Sequence, residues 1–227
     1  NEWPLARTRW TKLYLDPVAH GLTQASPLVP ETIEYDAMGD GVTFMSPPLP
    51  QETEITGPSA AKLFVSSSTR DADLFLVLRI FSADMKEVVF QGAIDPHTPV
   101  AQGWLRASHR KLDRKLSLPY RPYHAHDELQ PLKRNEVVEL DIELWPTSIV
   151  VPPGCRIALS VRGRDYVYPG GSGGKLSNFK NELTGCGPFL HDDARDRPPA
   201  IFHNRVKLHF GPRRAAYVLL PVVGAQR

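Results

Sequence analysis

Between Glu136 and Trp145 the chain alternates strictly. Val138, Leu140, Ile142 and Leu144 fall on one side, and Glu139, Asp141 and Glu143 on the other. A period of two predicts a strand with one face on a core and one in water. Pro146 is expected to stop it, and Val150-Val151-Pro152-Pro153-Gly154 supplies turn chemistry. Arg156 to Arg162 alternates again, with Ile157, Leu159 and Val161 inward, so the two segments are expected to pair as antiparallel neighbours. Leu74 to Phe81 is apolar on both faces, broken only by Arg79. That pattern predicts a central strand covered on both sides, by a second sheet on one and by a loop or another domain on the other. A turn at 82–86 leads into Glu87 to Ile94 as a hairpin. Further strands are expected at Lys62–Ser67, Gly103–Leu112, Asn204–Phe210 and Ala215–Leu220. No long amphipathic helix is visible, although Leu176 to Leu183 could form a turn or two. The segments 16–31, 113–135 and 164–200 read as irregular, and loops of that length usually carry function or dock onto something.

Composition narrows the class. The 227 residues include 22 Pro and 16 Gly, which disfavours long helices, while 41% hydrophobic residues exclude a disordered or collagen-like chain. One sandwich-sized unit of short strands fits. With 27 basic and 25 acidic residues the net charge is +2, far from a nucleic-acid-binding footprint, so no such partner is expected. No apolar run approaches the roughly 18 residues of a membrane span, so no membrane partner is expected. The chain opens Asn1-Glu2-Trp3-Pro4-Leu5, without an initiator methionine or a signal-peptide pattern, and is expected to be a piece of something longer. Cys155 and Cys186 are expected to be free thiols in a reducing, cytoplasmic compartment.

Several motifs carry potential chemistry. Gly170-Gly171-Ser172-Gly173-Gly174 matches the G-x-S-x-G nucleophile elbow, with acidic residues and histidines following in order. The elbow needs a buried strand before its serine, and Arg164-Asp165-Tyr166-Val167-Tyr168-Pro169 is not one, so a surface loop is expected. Gly174-Lys175 fails the P-loop pattern at both ends. In His124-Ala125-His126-Asp127 two imidazoles two residues apart share a side of an extended chain, but a metal site needs more convergent ligands, so a hydrogen-bonded or docked loop is expected. His191-Asp192-Asp193 could offer oxygens to calcium, yet Arg195 and Arg197 are expected to pair with those carboxylates. The basic run Arg106–Lys115 has only Trp104 nearby and reads as a solvated or interdomain face.

Taken in order, a larger set of segments becomes specific. They are Asn1 to Thr8, Gly103-Trp104-Leu105-Arg106-Ala107-Ser108-His109-Arg110 and Pro122-Tyr123-His124-Ala125-His126-Asp127. Val138 to Ser148, Pro188-Phe189-Leu190-His191-Asp192-Asp193 and Tyr217 to Val222 complete the series. Over nearly its whole length the chain resembles the C-terminal domain of the CocE/NonD hydrolases, which include cocaine esterase, α-amino acid ester hydrolases and X-Pro dipeptidyl-peptidases. Two places depart from that pattern: Cys155 after Pro153-Gly154, and Phe210-Gly211-Pro212-Arg213-Arg214 in place of a Gly-Gly turn.

The resemblance implies an all-β, jelly-roll β-sandwich like galactose-binding domains, with long loops and at most short helices. It implies a non-catalytic role beside an α/β-hydrolase domain of the same polypeptide, whose Ser/Asp/His triad lies outside this chain. No catalytic residue, cofactor or metal is therefore expected here. Residues 1–30 are expected to be a lead-in segment or linker packed on the sandwich, and 31–227 the sandwich itself. Trp3, Trp10, His109, Arg110, His124, His126 and Asp127 are expected at an interdomain face or the rim of the substrate cleft, because Arg and aromatic side chains suit interfaces. Oligomerisation is left open. The alternatives are a free-standing carbohydrate-binding module, since fold does not fix function, and a small serine hydrolase using Ser172.

Overall fold

A computed structural model describes residues 2–92, 94–170, 183–188 and 190–224. Ser172 and most of Leu176–Leu183 lie outside them. The strands are β1 (Thr8–Asp16), β2 (Gly21–Thr23), β3 (Glu31–Asp36), β4 (Val42–Met45), β5 (Thr53–Ser67) and β6 (Asp73–Phe81). They continue with β7 (Glu87–Val88), β8 (Ala101–Arg106), β9 (Val138–Val151), β10 (Arg156–Arg162), β11 (Arg205–Phe210) and β12 (Tyr217–Val223). Helical structure among the described residues is limited to a 3-10 turn at Ala107–His109 and α1 at Pro199–Phe202.

Hydrogen bonding runs continuously in the order β3-β11-β5-β12-β1-β2-β4-β10-β6-β7, with β9 added to β5 and β8 added to β6. β1 and β2 join the two ends of this path, so the sheet folds over into an all-β sandwich. Its core is one cluster that combines Leu63 and Val65 of β5 with Leu140, Ile142 and Leu144 of β9. Leu74, Leu76, Leu78 and Ile80 of β6 and Ile157, Leu159 and Val161 of β10 belong to it too, as do Leu15 of β1, Phe44 of β4, Phe210 of β11 and Leu220 of β12. Each such side chain contributes about 1.5–3 kcal/mol by leaving water.

The expected pairing of 136–145 with 156–162 is corrected. β9 pairs with β5, as in Leu140↔Leu63, whereas β10 lies between β4 and β6, as in Leu159↔Phe44 and Leu159↔Leu78. Alternation fixes which face of a strand is buried and leaves the partner open. Pro146 does not end β9 either. The β5–β9 register shifts between Gly57 and Ser59, so Trp145-Pro146 faces Pro58 in a bulge where neither proline owes the ladder a hydrogen bond.

The expected strand over 103–112 stops at Arg106. The Asp71 carboxylate accepts the Ser108 backbone N–H at 3.0 Å and its hydroxyl at 2.6 Å, which turns the chain into the 3-10 segment.

The two-faced strand β6 has its second cover within this chain. Phe75 lies under His191, ring centroids 5.4 Å apart, and under the Arg197 guanidinium at 5.1 Å. Gln102, opposite Val77, donates to the Gly185 carbonyl at 3.1 Å and accepts from the Cys186 thiol at 3.1 Å. The Asp95 carboxylate ties the covering loop down by accepting the backbone N–H groups of Gly185, Gly187 and His97 at 2.8, 2.9 and 3.0 Å. Both cysteines are free, and burial pushes the Cys186 thiol up to about 12.

Candidate functional site

The register of β6 on β8 places Asp73 opposite Arg106 and Phe75 opposite Trp104 on the outer face of the sandwich. Arg106 grips Asp73 through Nε at 2.8 Å and Nη2 at 3.0 Å. It also reaches Asp196 at 2.9–3.0 Å. Arg197 Nε stands 2.9 Å from Asp73 Oδ2, an ion-pair contact without the alignment of a hydrogen bond. Its Nη groups donate to the His191 and Gly163 carbonyls at 2.9 and 2.7 Å. The hydrogen bond to Asp73 is the main cause of the raised Arg106 pKa.

Above this ion-paired floor is a cleft of about 320 Å³, walled by Leu74, Phe75, Trp104 and Leu105 and by four imidazoles, those of His109, His124, His126 and His191. Trp104 meets the exposed Trp145 edge-on at 5.0 Å. His109 ends the 3-10 turn, while His124 and His126 come from a loop strapped to it by the Leu112↔His124 bridge and by the Ala125 N–H donating to the Lys111 carbonyl at 2.9 Å. His109 and His126 face each other, Nδ1 to Nδ1, at 3.4 Å, and the His124 ring lies 6.2 Å from that of His126.

The imidazoles differ electrostatically. Burial pushes His124 down, against the Asp141 backbone carbonyl, and its neighbours His126 and His109 add to the shift. The hydrogen bond to Asp165 at 2.9 Å raises His191. Burial would raise Asp165 in turn, but the His191 ring and backbone N–H outweigh it and hold the carboxyl low. The stability contributed through His191 is complete below the ordinary imidazole value and lost as pH rises through its raised one. That contributed through Asp165 is complete above the ordinary carboxylate value and lost as pH falls through its lowered one. The pair therefore stabilises most between 3.8 and 6.5, the ordinary values of the two groups. In an NMR titration of the histidine ring protons, His191 is expected to titrate above 6.5 and His124 below it. The reverse order would refute this picture of the cleft.

Of the rim residues expected from sequence, the structure brings His109, His124 and His126 into the cleft. Arg110 and Asp127 support its loops. Arg110 donates to the Ala107 and Gln130 carbonyls, and Asp127 pairs with Lys111 at 3.1 Å. Trp10 stacks on Tyr120 at 4.2 Å, and Trp3 is 58% exposed, both outside the cleft lining. In the polar loop, Arg195 does pair with Asp193 at 2.6 Å, but Arg197 pairs with Asp73 instead. Among the described residues no group of three or more His, Cys, Asp or Glu converges as a metal set. No described helix is long and apolar enough to cross a membrane.

Fold and cleft together define a β-sandwich module whose charged groups are engaged in holding its own walls. The chain belongs to the X-Pro dipeptidyl-peptidase C-terminal non-catalytic domain family, which it matches over residues 1–217. It is 32% identical over 157 residues to proteins of Mycobacterium bovis and Mycobacterium tuberculosis that both carry the name "Putative serine esterase". That match covers 66% of this chain and 21% of theirs. A CocE/NonD family hydrolase from Staphylococcus aureus superposes with a TM-score of 0.82 at 25% identity, over 98% of this chain and 38% of that one. An α-amino acid ester hydrolase shares the fold at 15% identity, with a TM-score of 0.61 over 94% of this chain and 36% of that one. The chain thus spans well under half the length of these relatives.

Proposed function

We propose that this chain is the accessory domain of a larger serine hydrolase acting on esters or X-Pro peptides, and that it packs on an α/β-hydrolase domain of the same polypeptide. The observation that carries this reading is the family match over residues 1–217 within relatives of which the aligned part is a minor share. Residues 1–30 lead in from the catalytic domain, and β1 and β2 are part of that lead-in. The cleft around His109, His124 and His126, with Trp3, Trp10, Arg110 and Asp127, meets the catalytic domain and helps to wall its substrate cleft, excluding water and restricting substrate shape. The two free thiols suit a reducing compartment such as the cytoplasm.

Hydrogen exchange tests the packing. Amides of residues 107–110 and 124–127 are expected to exchange at least tenfold more slowly in the whole polypeptide than in this chain alone. Equal rates at both segments would overturn the proposal.

A further inference from the structure

We infer that residues 111–127 form an acid-released strap, held beside the cleft by histidine contacts while those rings are uncharged and freed when they take up protons. The segment folds back on itself. The Asp113 N–H donates to the Tyr123 carbonyl at 2.8 Å, the Ala125 N–H donates to the Lys111 carbonyl at 2.9 Å, and Leu118 bridges Arg121. Among the described residues, none of its backbone groups is hydrogen-bonded to a residue outside the segment. Side chains dock it instead. Tyr120 stacks on Trp10 of β1, with the rings 4.2 Å apart and 2° from parallel. His124 lies against the Asp141 carbonyl of β9, and His126 meets His109 of the 3-10 turn, Nδ1 to Nδ1, at 3.4 Å. Pro122 is the segment's one buried residue. A segment with so little buried apolar surface can open while the rest of the domain stays folded.

Two of the three docking contacts are therefore sensitive to acid. A hydrogen bond between two Nδ1 atoms holds one proton, with one ring donating and the other accepting. Once both rings are imidazolium, both nitrogens are donors, and the bond gives way to repulsion between two cations. His124, its ring 6.2 Å from that of His126, is half-buried, so desolvation and the two neighbouring imidazoles oppose a proton there. Little nearby offsets the added charge. At the foot of the strap Asp127 and Glu128 are paired with Lys111, and Arg110 adds a positive charge beside His109. Across the cleft Asp73 and Asp196 are paired with Arg106, and Asp165 with His191. On β9 Asp141 is paired with Lys62. Burial pushes Glu143, near Arg121, upward, so it gives up its charge before an ordinary glutamate does. Burial lowers His124, so its contribution to docking is complete above 6.5, the ordinary imidazole value, and is lost as pH falls below it. The opposite wall behaves otherwise, because the His191–Asp165 pair stabilises most between 3.8 and 6.5. In that interval acid frees one wall of the cleft, uncovers Trp10 and leaves the other wall standing. The inference does not depend on whether the cleft meets a catalytic domain.

Hydrogen exchange of this chain at about pH 7.5 and about pH 5, with each rate divided by the intrinsic rate at the same pH, tests the strap. Each proton taken up on opening shifts the opening equilibrium about tenfold per pH unit below the imidazole value, so protection of residues 112–125 is expected to fall at least tenfold at the lower pH. A freed hairpin of this size does not keep its own hydrogen bonds. Protection of β6 and β10 is expected to stay unchanged. His109→Asn and His126→Asn each leave one imidazole facing an amide that can donate or accept, and each is expected to reduce the fall to about threefold or less. Asparagine tolerates the left-handed backbone at 126, where φ is 53°. His20→Asn, at another left-handed position with φ 48°, is expected to keep the full fall. Circular dichroism checks that each variant folds. The contact of Trp10 with Tyr120 needs no variant: NMR cross-peaks between the two rings are expected at the higher pH, absent at the lower and recovered on return. Unchanged protection of 112–125 in the wild type, an equal fall in β6 and β10, an undiminished fall in both folded variants, or a Trp10–Tyr120 contact that persists at the lower pH would each overturn the strap.

Discussion

Asp73→Ala is expected to destabilise the sandwich by about 3–5 kcal/mol, the range for removing one partner of a buried ion pair. Asp73 is the anion shared by Arg106 and Arg197. The two cations are not equally exposed to its loss. Arg106 keeps Asp196, and its side chain is 25% exposed, so water and a second carboxylate remain. The Arg197 side chain is 3% exposed, pinned between β6 and the 190–200 loop with its Nη groups on two carbonyls. Carbonyl dipoles do not neutralise a guanidinium, so the cost is mainly that of a buried, unpaired charge. Asp73→Asn keeps an acceptor for Arg106 and is expected to fall between wild type and Asp73→Ala. Asp193→Ala removes a partner of the fully solvated Arg195 and is expected to have no measurable effect. Urea unfolding followed by tryptophan fluorescence measures all three. A loss below about 1 kcal/mol for Asp73→Ala would show that Arg197 finds another route to neutrality.

Asp73 was not legible in the chain, and the reason is general to ion pairs across strands. Asp73 and Arg106 are 33 residues apart, and only the β6–β8 register makes them opposite. His109, His124 and His126, which line this chain's cleft, could be singled out in the sequence because short local motifs carry them. The ion-paired floor on which they stand depends on three distant segments. The same contrast runs through the fold. Alternation in Val138–Leu144 and in Ile157–Val161 announced buried faces that the core confirms. It could not say that β9 belongs with β5 and β10 with β4 and β6, because any antiparallel partner satisfies the same pattern. Thr8–Asp16 went unread as β1, since Trp10 and Tyr14 share its face with Lys12 and blur the alternation. The cover of β6 is the instructive case. Two apolar faces implied two covers, and the second proved to be the chain's own loop, held by Asp95 and by Arg197.

Gly103→Ala is expected to cost about 3 kcal/mol or more, at or beyond the upper end for overpacking, although alanine ordinarily suits a strand better than glycine. Gly103 lies on β8 opposite Leu76, where β8 closes against β9 at the side of the sandwich. A Cβ there would stand 2.1 Å from the Glu143 carbonyl oxygen and 3.0 Å from its carbon. Neither atom can swing aside, because Glu143 and Leu144 are in register with Ala60 and Ser59 of β5. Relief would require β8 and β9 to part, which would pull Trp104 from Trp145 and widen the cleft that Trp104 and Leu105 wall. Gly21→Ala is the control: its Cβ would meet nothing closer than 3.7 Å, and it is expected to be nearly neutral. Unfolding midpoints of the two variants, with near-ultraviolet circular dichroism for the tryptophan pair, decide the matter. Equal stability of Gly103→Ala and Gly21→Ala would mean that β8 and β9 approach less closely than the geometry of Gly103 requires.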